Sequence, residues 1–424
     1  MKKNQKIKIA IIGLGYVGLP LAISLSRYFE VIGFDKNKTR IDQLKIGIDL
    51  TKEVSKNDLT RSSNVKYTKN IKKIENSNVY IITVPTPIND ENEPDLTLLI
   101  DATKLVAKLI SKGDIVIYES TVYPGTTEEI CVPILVNISK LSYLKDFTVG
   151  YSPERINPGD KKHKISDIVK VVSASDKKTL KTVTEIYSMI ISAGIYKAES
   201  IKIAEAAKVI ENIQRDVNIA LINEFAIIFD KLNIDTYKVL EAAKTKWNFL
   251  EFYPGLVGGH CIGVDPYYLT YKSKEIGYDP KLILSGREIN EKMSQHVTDL
   301  FLNKIYSIFN KKLSIKVLIM GISFKENCPD TRNSKVFDII KNLQNKKIAV
   351  HAFDPIVSNS GTTFNKITLK KHLKNGYYHG IIIAVSHKEF KKMGIKKIRS
   401  YGKINSVIFD IKNIFNSKNT DLTL

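Results

Sequence analysis

Apolar and polar positions in the first part of the chain follow the order expected of repeated strand and helix units. An apolar run over residues 6–13 leads into a glycine-rich turn, a helical stretch and a second apolar run over 31–35. Two more apolar runs, 78–84 and 114–120, indicate further buried strands. Strands that are apolar throughout are typical of parallel sheets covered by helices on both faces. The pattern therefore predicts an α/β domain with a doubly wound sheet.

The middle of the chain has a helical pattern. From Ser200 to about Leu232, apolar residues recur at intervals of three and four, which places them on one helix face. This stretch exceeds an ordinary globular helix in length, and it is long enough to form a spine between two domains. A second α-rich stretch covers roughly 260–310.

The last part of the chain repeats the first. Residues 314–321 parallel residues 6–13, and the run 348–354 parallels the second strand with its terminal acid. The turn between them lacks the second and third glycines and carries Lys325, a point charge suited to a phosphate. We therefore predict two doubly wound (Rossmann-like) domains joined by the central long helix.

The first turn has the spacing of a dinucleotide-binding unit. Gly13 lets the strand turn sharply, Gly15 lets the backbone approach a pyrophosphate, and Gly18 lets the helix pack close to the sheet. Asp35 ends the second strand and is placed to accept hydrogen bonds from a ribose diol, which favours NAD over NADP. Three basic residues crowd the same turn and weaken that preference: Lys36, Lys38 and Arg40.

Composition and charge narrow the class of protein. The 424 residues carry a formal net charge of +21, nearly all of it from lysines spread along the whole length with asparagine and isoleucine. This distribution indicates compositional drift, so we expect no nucleic-acid partner, while an anionic small-molecule substrate stays compatible with the charge. No apolar run approaches the about 18 residues needed to cross a bilayer. We expect no membrane insertion, no metal site and a cytoplasmic location.

The amino terminus and the cysteines agree with that location. Met1 and two lysines precede an apolar run, as in a secretory signal peptide, but glycines break the run and charged helix follows it. The three cysteines, Cys131, Cys261 and Cys328, are an odd number and widely spaced, so they form no disulfide framework. A reducing compartment follows.

Two threonines stand where the predicted strands of the first domain end. Thr86 follows the run 78–84, and Thr121 follows the run 114–120. Ligands of open α/β sheets bind beyond the carboxyl ends of the strands. Both threonines are therefore candidates for the cofactor side of the sheet, although they can also be ordinary turn residues.

Two constellations could carry chemistry. Cys261 lies among glycines that expose its thiol, and Asp265 follows it by one helical turn, whereas a structural cysteine is normally buried among apolar side chains. On the predicted long helix Lys208, Asn212 and Arg215 share one face. A thiol joined to an NAD site favours four-electron oxidation of a primary alcohol, because a thiohemiacetal can yield a second hydride and leave a thioester for water to cleave.

A third group of polar residues lies in the loop after an apparent strand. Glu154 and Arg155 stand there side by side, bounded by prolines, and by themselves they indicate only a turn.

Six motifs in order along the chain resemble those of the nucleotide-sugar 6-dehydrogenases, the UDP-glucose/GDP-mannose dehydrogenase superfamily. They are Gly13-Leu-Gly-Tyr-Val-Gly-Leu-Pro20, Val84-Pro-Thr-Pro87, Ser120-Thr-Val-Tyr-Pro-Gly125, Ser152-Pro-Glu-Arg155, Gly258-Gly-His-Cys-Ile-Gly-Val-Asp-Pro266 and Phe324-Lys-Glu-Asn-Cys-Pro-Asp-Thr-Arg-Asn-Ser334. The stretch from Trp247 to Tyr268 resembles the branch acting on UDP-N-acetylhexosamines, since UDP-glucose dehydrogenases typically carry a serine before the cysteine and a lysine before the acid.

The resemblance implies three domains and a reaction. These are an NAD-binding domain over 1–199, a helical dimerisation and catalytic domain over 200–310, and a UDP-sugar-binding domain over 311–424. The implied activity is NAD-dependent oxidation of C6 of a UDP-N-acetylhexosamine to the uronic acid through a cysteine thiohemiacetal and thioester, for cell-envelope polysaccharide. A homodimer or higher homo-oligomer is expected.

The resemblance also assigns roles to individual residues. Cys261 matches the nucleophile, Lys208 and Asn212 the pair that steadies the oxyanion, Asp265 the acid that orients a water acting as base, and Glu154 the acid of thioester hydrolysis. Matches to NAD contacts are Gly13, Gly15, Tyr16, Val17, Gly18, Asp35, Arg40, Thr86 and Thr121. Matches to positions near the substrate are Arg155, Arg215, Gly255, Lys325 and Arg332.

Other functions compete with this one. The nearest are a UDP-glucose or a GDP-mannose 6-dehydrogenase. A β-hydroxyacid-type dehydrogenase also combines an NAD domain with a lysine on a long helix, but it transfers one hydride and needs neither Cys261 nor a second doubly wound domain. A non-catalytic NAD sensor or nucleic-acid-binding protein would leave the Cys261 loop without a purpose.

Overall fold

The computed structural model describes residues 6–61, 64–156, 164–310, 314–357 and 367–424. Two compact units divide these residues. The N-terminal unit comprises the described residues up to Glu211 together with Tyr267–Asp279, and the C-terminal unit comprises Asn212–Pro266 and the described residues from Pro280 onward.

Within its described residues, the N-terminal unit builds one sheet of eight strands. They are β1 (Lys8–Ile12), β2 (Glu30–Phe34), β3 (Val65–Thr68), β4 (Val79–Ile82), β5 (Ile115–Tyr118), β6 (Thr148–Tyr151), β7 (Lys170–Ala174) and β8 (Ile195–Lys197). The strand order is β3-β2-β1-β4-β5-β6-β7-β8, and every neighbouring pair is parallel except β6 and β7. The first six strands thus have the order of a dinucleotide-binding fold.

Helices separate these strands along the chain. They are α1 (Gly18–Leu25), α2 (Lys38–Lys45), α3 (Lys56–Arg61), α4 (Thr97–Ala107), α5 (Val132–Ser139) and α6 (Lys177–Ser188). Side chains mark where two of them begin, since Asn37 accepts a hydrogen bond from the Arg40 N–H and Asp176 accepts one from the Thr179 N–H. Strands β4 and β5 are buried at every position, which explains their uninterrupted apolar sequence.

The middle of the chain is helical, as the pattern predicts. Its helices are α7 (Ile201–Lys231), α8 (Thr236–Ala243), α9 (Asp265–Glu275) and α10 (Lys281–Ile308). Helix α7 has 31 residues and ends within a residue of the predicted bounds at both ends. In the helices of the residues that the structure describes, no segment is both long and apolar enough to cross a membrane.

A second sheet lies in the C-terminal unit. Its elements are β9 (Lys316–Met320), α11 (Val336–Asn345), β10 (Ala349–Phe353), β11 (Thr368–Leu369), β12 (Tyr378–Ile383), α12 (Lys388–Ser400) and β13 (Gly402–Asp410). The strands are parallel throughout in the order β11-β10-β9-β12-β13. Helix α10 packs on this sheet through Val297, Phe301 and Ile305, all fully buried.

The predicted α/β fold, with two doubly wound domains and a long central helix, is confirmed. The division into three domains at 199/200 and 310/311 stays a prediction, and residues 311–313 lie outside the described residues. The antiparallel strand β7 was not predicted.

Candidate active site

The glycine turn after β1 has the form that a dinucleotide needs. Gly13 adopts φ +97°, in the left-handed region, and its N–H donates to the Phe34 carbonyl at 2.9 Å. A Cβ at Gly18 would overlap the Gly13 carbonyl oxygen, so only glycine lets α1 begin against the turn. Gly15 is exposed, and open space lies where its side chain would stand. The partly buried residues Tyr16 and Val17 complete the turn.

Two predicted cofactor residues converge on the backbone of Leu14. Asp35 Oδ2 accepts a hydrogen bond from the Leu14 N–H at 2.9 Å, and Arg40 Nε donates to the Leu14 carbonyl at 2.9 Å. The Arg40 guanidinium also forms an ion pair with Asp49 at 2.8 Å. Burial acts to raise the pKa of Asp49, but hydrogen bonds from Thr51 and neighbouring groups lower it overall. Asp49 therefore stays ionised and neutralises Arg40, which leaves less positive charge for the 2′-phosphate of NADP.

The threonines beyond the strands are brought together. Thr86 Oγ1 donates to the Thr121 carbonyl at 2.7 Å, beyond the carboxyl ends of β4 and β5. The residues that follow Thr121 are bound by Glu205, a fully buried residue of α7 that was not predicted from the sequence. Its carboxylate accepts hydrogen bonds from the Gly125 N–H at 2.6 Å and the Thr127 N–H at 2.9 Å. Burial raises the pKa of Glu205 to about 7.

Glu154 belongs to a buried group of charges that we call the Lys170 cluster, made of Glu119, Glu154, Lys170 and Tyr187. The Lys170 ammonium lies 2.9 Å from Glu119 and 3.3 Å from Glu154, and the Tyr187 hydroxyl donates to Glu119. Although burial alone lowers the pKa of Lys170, the two carboxylates outweigh it and raise that pKa. The second oxygen of Glu154 accepts two backbone N–H groups at 2.6 Å each.

Arg155, next to Glu154, is engaged by the protein itself. Its guanidinium forms an ion pair with Glu211 at 2.7 Å and donates to the Val169 carbonyl at 2.8 Å. This predicted substrate contact is therefore held between Glu211 of α7 and the backbone next to Lys170.

On α7 the predicted polar face divides into a buried and an exposed part. Lys208 and Asn212, one turn apart, are each only 9% exposed, whereas Arg215 is exposed. Asn212 Nδ2 donates to Asp265 Oδ2 at 2.5 Å.

The loop before α9 carries the predicted nucleophile. The Cys261 carbonyl accepts the Asp265 N–H at 2.8 Å, which starts the helix, and the thiol is partly exposed. Asp265 is 3% exposed. Within the C-terminal unit, therefore, Asn212 and Asp265 are in direct contact, and Cys261 lies one helical turn before Asp265.

A second side chain that the sequence reading missed lies against the thiol. His260 Nδ1 is 3.2 Å from Cys261 Sγ, and its Nε2 is 3.5 Å from Asp330 Oδ2. Burial acts to lower the pKa of His260, but interactions with Asp330 and Cys261 raise it to about 9. Asp330 also binds the Arg332 side chain, with Nε at 3.0 Å from each carboxylate oxygen. The predicted substrate residue Arg332 is thus tied to the Cys261 loop through one carboxylate.

The turn after β9 repeats the backbone bonds of the first turn without its second and third glycines. The Gly321 N–H donates to the Phe353 carbonyl at 2.8 Å, and Asp354 accepts the Ile322 N–H at 2.8 Å, as Asp35 accepts that of Leu14. Lys325 is partly buried in this turn, and its carbonyl accepts the Ser323 hydroxyl.

Gly255 lies beside a lysine that the sequence reading also missed. Asn223 holds the Gly255 backbone at both its N–H and its carbonyl, at 2.8 and 3.0 Å. A Cβ at Gly255 would overlap Lys412 Nζ. Burial lowers the pKa of Lys412, so this ammonium is a cation that a bound anion would stabilise.

Comparison with known proteins identifies the family. Sequence profiles of the UDP-glucose/GDP-mannose dehydrogenase family match the chain over 7–191 (NAD binding domain), 202–292 (central domain) and 318–417 (UDP binding domain). The chain belongs to this family.

Relatives and solved structures cover nearly the whole chain. The chain is 52% identical to the UDP-N-acetyl-D-glucosamine 6-dehydrogenase of Salmonella typhi, over 99% of each chain. It is 51% identical to the enzyme of the same name from Pseudomonas aeruginosa, over 99% of this chain and 100% of the other. The structure of a UDP-D-ManNAc dehydrogenase from Pyrococcus horikoshii is similar with a TM-score of 0.87 and 30% identity, covering 97% of this chain and 96% of the other.

NAD is the cofactor of this dehydrogenase chain, and the first turn fits it. The NAD binding domain of the family covers the glycine turn, Asp35 and both threonines. The open backbone at Gly15 would take the pyrophosphate, and α1 begins directly after it. Lys325 and Arg332 fall in the UDP binding domain. The roles of individual side chains stay predictions.

Proposed function

We propose that the chain oxidises C6 of a UDP-N-acetylhexosamine to the uronic acid, with four electrons passing to two molecules of NAD. The contact between Asn212 and Asp265, with Cys261 one helical turn before Asp265, carries this proposal, because it sets an amide donor and a buried acid next to the loop that bears the thiol. The relatives at about half identity bear the name UDP-N-acetyl-D-glucosamine 6-dehydrogenase, which supports this class of sugar.

The proposed chemistry proceeds in two oxidations and a hydrolysis. When bound, NAD would supply the hydride acceptor for each oxidation. A water oriented by Asp265 takes the proton of the C6 hydroxyl, and Lys208 and Asn212 stabilise the oxygen as it gains charge. Asn212 has two amide N–H groups, so one can bind Asp265 while the other faces the substrate. Cys261 then adds to the aldehyde, and the thiohemiacetal yields the second hydride and a thioester.

Hydrolysis of the thioester is assigned to Glu154. The Lys170 cluster supports this role, because it keeps one carboxylate oxygen on an ammonium and the other on backbone N–H groups. A carboxylate held in this way is oriented for a fixed direction of attack by water.

Product analysis tests the proposal. The purified protein is incubated with NAD and, in parallel, with the UDP-linked N-acetyl forms of glucosamine, galactosamine and mannosamine and with UDP-glucose. Two NADH and one uronic acid should form per N-acetylated sugar consumed, with NADP a poor substitute. One NADH with free aldehyde would contradict the role of Cys261, and preference for UDP-glucose would contradict the sugar class.

A Cys261→Ser variant separates binding from chemistry. It should bind NAD and the UDP-sugar but stall before the acid is formed, because a serine alkoxide is harder to form and a worse leaving group than a thiolate. Completion of both hydride transfers at the wild-type rate would refute a covalent thiol mechanism.

We also propose a homodimer or higher homo-oligomer, a cytoplasmic location and a product used for cell-envelope polysaccharide, with the three domains bounded at 199/200 and 310/311. Exposed apolar side chains in and just after α7 support self-association: Leu221 and Ile228 on the helix are 45% and 44% exposed, and Leu232, which follows it, is 59% exposed. Light scattering should give at least twice the 47.9 kDa mass of one chain, and a monomer would contradict the proposed assembly.

A further inference from the structure

His260 has the geometry of an acid-base partner for the thiol. Its Nδ1 lies 3.2 Å from Cys261 Sγ, and its other ring nitrogen faces the Asp330 carboxylate at 3.5 Å. The ring meets Phe324 edge-on with centroids 5.4 Å apart. Gly259 allows this packing, since a Cβ there would stand 2.6 Å from the Phe324 ring. The imidazole is therefore held between a thiol and a carboxylate, the order of groups found in activated nucleophiles.

We propose that His260, oriented by Asp330, is the catalytic base that removes the thiol proton of Cys261 and holds the thiolate ready for the aldehyde. This inference rests on the proposed role of Cys261 as the nucleophile, and it adds the source of its reactivity.

The surrounding charges agree with an imidazolium and thiolate pair. Three charged or polar groups and burial act on the ring. The Asp330 carboxylate and the Cys261 sulfur favour its protonated form, whereas burial and the nearby Arg332 guanidinium oppose it. The balance keeps the proton that His260 takes from Cys261 on the imidazole ring near neutral pH. Asp330 stays ionised, because hydrogen bonds from His260 and Arg332 overcome the effect of burial and lower its pKa. A thiol beside an imidazolium is largely ionised at neutral pH.

The proposed steps balance in protons and electrons with NAD as the hydride acceptor. The S–H proton passes to His260 Nδ1, and the sulfur lone pair forms a C–S bond to the aldehyde carbon while the carbonyl oxygen takes the negative charge. Collapse of that oxyanion sends a hydride to NAD and leaves a thioester. Water then breaks the C–S bond, and the sulfur departs as the thiolate that the imidazolium stabilises.

Alkylation of Cys261 tests this without any substrate. Iodoacetamide labelling of the full-length protein is followed by mass spectrometry of the Cys261 peptide over a range of pH. Cys131 and Cys328 are fully buried, so their peptides serve as internal references. A His260→Gln variant should label at least about tenfold more slowly than wild type near pH 7. The two rates should converge near pH 10, where His260 is neutral and no longer favours the thiolate.

A matched variant guards against an unspecific effect. His296→Gln removes a partly buried histidine of α10 in the same unit and should label at the wild-type rate. If His260→Gln does not fold, the far-ultraviolet thiolate absorbance of wild type minus that of Cys261→Ser gives the same information. Absorbance that is already present near pH 7 supports the ion pair. Absorbance that appears only at alkaline pH refutes it.

The labelling experiment distinguishes a failure of this inference from a failure of the proposed function. A protein that labels rapidly near pH 7 in wild type and slowly in His260→Gln, yet oxidises no UDP-sugar, would keep this inference and lose the substrate assignment. Equal labelling of wild type and His260→Gln near pH 7 would overturn the inference, even in an enzyme that forms two NADH per sugar.

Discussion

Replacing Lys170 by methionine should destabilise the N-terminal unit in a strongly pH-dependent way. The ammonium is 3% exposed and separates two carboxylates, one fully buried and one 10% exposed. Without it, Glu119 and Glu154 would share a buried site with no cation between them. Breaking a buried ion pair from one side typically costs about 3–5 kcal/mol, because a charge is left uncompensated.

Protonation limits this cost and sets its pH dependence. The variant can relieve the repulsion by keeping one glutamate protonated, which at pH 7 costs about 3.5 kcal/mol for a group with an ordinary pKa. The folded variant then binds a proton that the unfolded chain lacks, so its stability must rise as the pH falls. Near pH 5 the same protonation costs only about 1 kcal/mol.

Thermal unfolding at pH 7 and pH 5 measures both quantities. At pH 7 the variant should melt about 10 °C below wild type in the transition of this unit, and most of that difference should vanish at pH 5. Lys181→Met is the matched control, since it removes an exposed lysine that pairs with Glu185 across one helical turn and should change the melting temperature little. Equal melting of Lys170→Met and wild type at pH 7, or a deficit that grows on acidification, would refute the reasoning.

Three further substitutions have definite expected outcomes. Gly18→Ala drives a Cβ into the Gly13 carbonyl oxygen and should abolish the rise in melting temperature on adding NAD; an unchanged rise would contradict the assigned turn. Glu205→Gln replaces an acceptor of two backbone N–H groups by a partial donor and should cost about 1–3 kcal/mol in chemical denaturation. Because the folded pKa of Glu205 is raised to about 7, wild type loses stability as the pH rises toward 7, so this deficit should be larger at pH 5 than at pH 8. Lys412→Met removes a buried ammonium beside Gly255 and should leave the unliganded protein as stable or more stable, while the thermal shift on adding UDP is lost; a full shift would exclude Lys412 from the UDP site.

Features that depend on residues near one another along the chain could be predicted from the sequence. The apolar runs predicted β1, β2, β4 and β5 of the first sheet and β9 and β10 of the second, and the spacing of three and four predicted α7 nearly to its ends. The pairing of Cys261 with Asp265 could be expected because four residues separate them, which is one helical turn.

Contacts between segments that lie far apart along the chain could not be predicted from the sequence. Lys170 begins a short apolar strand, and in the sequence it resembles a solvated strand end. Its partner Glu119 is 51 residues away, so the sequence gives no sign of their ion pair. His260 was seen only as part of a motif, because Asp330 lies 70 residues further along. Glu205 shares a helix with many charged residues, and helical spacing alone does not distinguish one buried glutamate from its exposed neighbours.

The reversed strand β7 gives the N-terminal sheet a chemical option that an all-parallel sheet lacks. In parallel sheets the first residue of every strand stands at the edge opposite the ligand, so only strand ends and loops can furnish functional groups. Since β7 runs against β6, with Gly150 opposite Ala174 and Tyr151 opposite Ser173, its first residue Lys170 comes to the edge where β6 finishes. Sliding β7 by a single residue would turn that lysine to the other face of the sheet. The register of β6 and β7 is therefore constrained by charge as well as by packing. Changes to the loop before β7 should preserve this register.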